Sequence, residues 1–141
     1  MPNLVPLLAR IFLSAIFLKS GITKIFNFAG TQQYMAKYLT VLSLPFIRFL
    51  LMIAIIVLLL GGLSILLGYK ARWGSLGLIL FLIPATLIFH TNFSDPMQEI
   101  QFLKNLAIIG GLCMINFAGA GPISIDQRLS SRRSKYYSRY L

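Results

Sequence analysis

The chain reads as an all-α integral membrane protein: a bundle of four spanning helices, with a short amphipathic helix at the interface between spans one and two. Three observations carry that reading. Of the 141 residues, 57% are hydrophobic and 11% charged, with a mean hydropathy of +0.81; a soluble domain this small cannot hide so much apolar surface. The apolar residues fall in stretches close to the roughly 20 residues that cross a hydrocarbon core. Basic residues outnumber acidic ones 13 to 3, and part of that excess sits in a tail beside the last apolar stretch.

The first span is "LVPLLARIFLSAIFLKSGITKIF". Arg10, Lys19 and Lys24 shorten its apolar core, and their long side chains can snorkel toward the two interfaces. A signal peptide is the competing reading, but its start is not positively charged and no small-x-small cleavage motif closes the core. Next comes "TQQYMAKYLTVLSLP", in which Tyr34, Tyr38 and Leu42 recur every four residues, as do Met35 and Leu39. This is the pattern of an interfacial helix too polar to span. "FIRFLLMIAIIVLLLGGLSILLG" is the clearest span, opened by Pro45 and closed by Gly68, the favoured order of helix punctuation. The third, "WGSLGLILFLIPATLIFHTNF", has Trp73 as an interfacial anchor and Pro84 as a bend. Neighbouring helices can re-satisfy the carbonyl that the proline frees. The fourth is "FLKNLAIIGGLCMINFAGAG". Gly121-Pro122 stops it, and Ser124 or Asp126 then caps a short segment, "QRLSSRR". Residues 1–127 thus form the membrane domain and 128–141 a basic tail.

Four spans put both termini on one side. Arg10, Lys70, Arg72, Arg128, Arg132, Arg133, Lys135 and Arg139 fall on that side, against Lys19, Lys24, Lys37, Arg48 and Lys104, eight to five. The positive-inside rule makes the eight cytoplasmic. The net charge of +10 is then matched to anionic lipid and topology, and no nucleic-acid partner is expected. One cysteine, Cys113, and one histidine, His90, are too few for a disulfide, a zinc site or paired haem ligands. No metal or haem is expected, and no catalytic constellation is found.

Gly61 and Gly62, Gly74 and Gly77, and Ala107 and Gly111 offer small faces for close helix packing. The sparse acids suggest two clusters. Arg10 and Asp126 are expected to pair, joining the start of the first span to the end of the fourth; interfacial water is the alternative for both. On the other side, His90, Lys19 and Lys24 form a candidate site for the head of a quinone or other small molecule, with Phe26, Phe28 and Phe89 as walls. The plainer alternative is that Asp95 and Glu99 neutralise these bases.

Four pieces in order, "ARIFLSAIFLKSGITKIF", "LLLGGLSILLGYKARWG", "FLKNLAIIGGL" and "GAGPISID", resemble the DoxX family of small bacterial membrane proteins. The likeness runs from Leu4 to Asp126. Its motif residues are Arg10, Gly21, Lys24, Gly62, Gly68, Arg72, His90, Asn105, Gly111, Gly121, Pro122, Ser124 and Asp126. The resemblance implies a four-helix bundle in the bacterial inner membrane. Founding members are subunits of a thiosulfate:quinone oxidoreductase, and others are linked to membrane redox complexes and thiol-stress responses. Many relatives carry a glutamate shortly before the double glycine, where this chain has Leu58, Leu59 and Leu60; an activity needing that carboxylate is not expected here.

The expected function is a noncatalytic subunit or scaffold of a quinone-linked redox complex, with the bilayer and redox proteins as partners and self-association left open. The alternatives are a quinone-binding oxidoreductase subunit in its own right and a small-molecule transporter. Coupled transport usually needs an intramembrane acid, and spans two to four have none between their ends.

Overall fold

The computed structural model describes the backbone of residues 4–137 and the side chains of residues 4–131. Its elements are α1 (Leu4–Phe26), α2 (Phe28–Tyr38), α3 (Leu44–Leu67), α4 (Ala71–Phe89), α5 (Pro96–Ala118) and α6 (Ile125–Tyr137). Four of them, α1, α3, α4 and α5, are long and apolar enough to cross a membrane. Their outward faces carry exposed Phe12, Ile56, Leu60, Leu80, Met114 and Phe117. Such a surface suits hydrocarbon and would drive aggregation in water.

Helix α1 packs on α3, α3 on α4, and α4 on α5, while α5 returns to α1 at only a few positions. One end of the bundle carries the start of α1, the α3–α4 turn and α6; it is called the tail end below. The other carries α2 and is called the cap end. The buried core of Phe17, Leu58, Ile65, Ala71, Leu78, Leu82, Leu112, Ile115 and Ala120 fills the middle and the tail end. There Gly111 lets Leu13 of α1 approach α5.

Helix punctuation shifts several boundaries, among them the end of the fourth span, which stops at Ala118 with Gly119 as its C-cap rather than at Gly121-Pro122. The fourth span begins at Pro96 rather than Phe102, because Asp95 caps it: its Oδ1 accepts from the Met97 N–H at 2.9 Å. Proline at the first position then needs no partner for its nitrogen. The third span stops at Phe89, with His90 as its C-cap, and runs through Pro84 without a break. The amphipathic helix starts earlier than its pattern indicates and ends at Tyr38. Leu39 caps it, and Leu42 lies in the following turn. Tyr34 and Tyr38 do share a helical face and pack on Phe89 of α4, with ring centroids 5.9 and 5.3 Å away.

The small-residue faces divide. A Cβ at Gly61 would meet Leu78 Cγ at 2.6 Å, and one at Gly62 would meet Leu18 at 3.0 Å, so the double glycine seats α3 against α4 and α1 together. Gly74 sits against Ser64 in the same way. Gly77 has nothing within 4 Å and Ala107 is exposed; neither is a packing position within the chain.

Helix α6 begins at Ile125, inside the residues assigned to the membrane domain, and continues to Tyr137. Ser124 is its cap, accepting from the Gln127 N–H at 3.2 Å. The side chains of Arg132, Arg133 and Lys135, and all of Arg139, lie outside the described residues.

Candidate functional site: a cap-end cavity above a tail-end knot

At the tail end, Arg10 is buried, 2% exposed. Its Nη1 donates to the Ala120 carbonyl at 2.9 Å and its Nη2 to the Ile123 carbonyl at 2.7 Å. Arg10 and Asp126 were expected to pair, and this corrects the chemistry of the link. The start of α1 is tied to the end of α5 through backbone carbonyls that the Gly119–Pro122 turn exposes. The Asp126 carboxylate goes elsewhere, accepting from the Lys70 N–H at 2.8 Å and the Ala71 N–H at 3.1 Å. It therefore caps the N-terminus of α4, where a negative charge meets the positive end of the helix dipole.

Gly68 joins these two clusters. Its carbonyl accepts from the Asp126 N–H at 2.9 Å, and the guanidinium of Arg10 lies against its Cα. Gly121 takes φ +80° where the chain turns under Pro6, and Pro122 follows it. Arg72 adds a bond from Nη2 to the Phe117 carbonyl at 3.2 Å, and Asn116 donates back to the Arg72 carbonyl at 2.9 Å. These bonds hold α1, the α3–α4 turn and the α5–α6 turn together. The knot is structural: its polar groups are largely spent on one another, with Arg10 Nε the one buried side-chain nitrogen or oxygen left without a partner among the described residues.

The cap end is different. With α1 and α5 held together at the tail end, a cavity of about 240 Å³ opens between α1, α3, α4 and α5 beneath α2. Ile16, Phe17, Leu51, Ala54, Leu58, Phe81, Leu82 and Ile108 form apolar walls. Lys24, Ser20, Thr31, Tyr34, His90, Gln101 and Asn105 supply the polar groups. Lys24 Nζ donates to Ser20 Oγ at 2.9 Å, leaving two donors unspent. The His90 Nδ1–H donates to Gln98 Oε1 at 2.7 Å, which leaves Nε2 as an acceptor for a ligand that brings a donor. Tyr34 closes the top with Tyr38 and Phe89. Desolvation, followed by the neighbouring Tyr38 hydroxyl, holds the Tyr34 phenol above its ordinary range, so it stays a neutral donor.

Two of the three residues singled out in sequence meet here: Lys24 and His90 line one cavity, from opposite sides of the bundle. Lys19 does not; it is exposed on the outer face of α1. Of the three phenylalanines, Phe89 lines the cavity, whereas Phe26 is 88% exposed and Phe28 is not part of the wall. Asp95 spends its carboxylate as a helix cap and Glu99 is exposed; among the described residues neither neutralises Lys24 or His90. Asn105 is the residue the composition of the spans left without a part. It is 8% exposed and lines the cavity. A carboxamide inside an otherwise apolar stretch was its signal, since such groups face the bundle interior.

The DoxX family model matches residues 5–91. The chain belongs to the DoxX family. It is 36% identical over 126 residues to inner membrane protein YqjF of Escherichia coli (strain K12), covering 89% of this chain and 92% of that one. It is 31% identical over 127 residues to inner membrane protein YphA of the same strain, covering 86% and 88%. ER-derived vesicles protein ERV29 of Saccharomyces cerevisiae is 34% identical over 79 residues, which is 52% of this chain and 26% of that protein. No solved structure matches. As a DoxX protein, the chain is an integral membrane protein whose matched region takes in α1 to α4 and every cavity residue except Gln101, Asn105 and Ile108 of α5.

Proposed function

We propose that the chain is a noncatalytic, ligand-holding subunit of an inner-membrane redox complex, and that its cap-end cavity takes the head of a quinone. The cavity carries this reading. It is smaller than the roughly 300–1,000 Å³ of drug-sized pockets, so it suits one substituted ring. Its walls are apolar, and Lys24 and His90 are among its few polar groups. Quinone oxygens accept hydrogen bonds, and Lys24 has donors to spare, with no carboxylate paired to it among the described residues. The sparse contact between α1 and α5 gives a lipid-soluble molecule a way in from the bilayer. Electron exchange is assigned to a partner protein, since one cysteine and one histidine give this chain no cluster or paired haem ligands of its own.

A quinone analogue should bind the purified protein in detergent. Lys24→Gln should weaken it about tenfold, the worth of one hydrogen bond to a charged group, and His90→Ala, which removes a ring from the wall rather than a donor to the quinone oxygen, by less, with the thermal unfolding midpoint kept. Equal affinity in wild type and both variants would remove the site and leave a purely scaffolding part.

The two Escherichia coli relatives are named as inner membrane proteins, and the same location is proposed here. The eight-to-five split of basic residues puts the tail end in the cytoplasm. Reporter fusions at Tyr34, Lys70, Asp95 and the C-terminus should read outside, inside, outside, inside. A periplasmic C-terminus would reverse the topology.

A further inference from the structure

The floor of the cavity carries a second polar feature that the Lys24–His90 rim does not use. Thr86 Oγ1 lies 2.7 Å from the Leu82 carbonyl, to which its hydroxyl must donate, since a carbonyl oxygen only accepts. That hydroxyl can then only accept from Asn105, whose Nδ2 lies 2.9 Å away. The amide is thereby oriented: Nδ2 faces Thr86 and Oδ1 turns away from it. No protein donor bonds Oδ1 among the described residues, and Asn105 lines the cavity. The position is deep, about 14 Å along α5 from Pro96 at 1.5 Å per residue. An acceptor that opens into the cavity among largely apolar walls, and is not spent on the protein, favours a ligand that brings a donor.

We infer that the cavity selects a ring bearing a free hydroxyl, a phenol or hydroquinone head, with that hydroxyl donating to Asn105 Oδ1. This rests on the cavity being a ligand site, and adds to it which chemical form is preferred. Lys24 does not discriminate, because an ammonium donates equally well to a quinone carbonyl and to a hydroxyl oxygen. Asn105 Oδ1 does, because a carbonyl or a methyl ether brings it no proton. Asn105 is then a specificity-determining residue and Thr86 a positioning residue that fixes its orientation. If the ring is a quinone–hydroquinone pair, tighter binding of the reduced form makes the bound couple easier to reduce. A tenfold preference corresponds to about 30 mV for two electrons.

Three probes with one ring separate the outcomes: trimethylhydroquinone, trimethylquinone and the hydroquinone's dimethyl ether, titrated against the full chain in detergent. The hydroquinone should bind about tenfold more tightly than either of the others. Asn105→Leu should remove most of the hydroquinone's advantage, what remains being the share of His90 Nε2, which also accepts. Thr86→Val, which keeps shape and removes the hydroxyl that orients the amide, should narrow the gap with little loss of quinone affinity. A merely structural part for either residue would weaken all three probes alike and overturn the inference. Equal affinities in wild type would also overturn it, showing Asn105 satisfied by cavity water, while leaving the quinone site standing. Binding of none of the probes would overturn both.

Discussion

Arg10→Leu should destabilise the bundle by about 3 kcal/mol or more, measured as unfolding in detergent. The substitution removes two charge-assisted hydrogen bonds, at 2.9 and 2.7 Å, each worth about 1.5–3 kcal/mol. It also leaves the buried Ala120 carbonyl bare, and the more exposed Ile123 carbonyl dependent on water. Arg10→Lys should recover only part of the loss, because one ammonium cannot present the planar fork that spans two carbonyls. Unfolding of Arg10→Leu at the wild-type midpoint would show that the knot does not hold α1 to α5. Asp126→Asn is milder, about 1 kcal/mol, since one amide oxygen can still accept from one of the two N–H groups. The pair should couple by about 0.5 kcal/mol or more in a double-mutant cycle. They do so without a direct ion-pair contact: Gly68 touches both, and the Asp126 carboxylate still attracts the guanidinium across it. Simple additivity would separate the two clusters.

Gly68→Ala should cost as much as the loss of Arg10. At φ +64° a side chain adds about 1 kcal/mol of strain. The larger effect is steric. The new Cβ would sit 2.6 Å from Ser124 Cβ and on top of Arg10 Nη1, so the guanidinium must leave its carbonyls. A total near 3 kcal/mol is expected, and it should be far from additive with Arg10→Leu, since both remove the same bonds. Gly77→Ala is the control: nothing lies within 4 Å of its Cβ, and alanine is the better helix former by about 1 kcal/mol. It should be neutral or slightly stabilising. A Gly68→Ala protein as stable as Gly77→Ala would mean that the turn has room the structure does not show.

Hydropathy made the four spans legible because it is a property of consecutive residues, and a bilayer imposes the same length on each of them. The Tyr34–Tyr38 spacing was legible for the same reason; the stop of the fourth span was legible only approximately, since Gly121-Pro122 marks the turn but α5 already ends at Ala118, with Gly119 at φ +82° as its C-cap. Lys24 and His90 were picked out by scarcity and by counting helix ends, and they do meet in one cavity. What consecutive residues do not encode is which partner a polar group takes. Arg10 and Asp126 were matched by opposite charge, yet exposed carbonyls and free N–H groups outcompete that pairing, because helix ends leave backbone groups that must be satisfied first. Lys19 and Lys24 are alike in sequence, but five residues turn them to different faces of α1, and only the packing of α5 and α4 decides which face lines a cavity. Asn105 becomes a candidate only when Thr86, on another helix, takes its Nδ2 and leaves its Oδ1 unpaired. The existence and approximate length of the spans were local and came from the chain alone; the cavity, the knot and the orientation of one amide depend on contacts between residues 19 to 113 positions apart, and only the tertiary structure decided them.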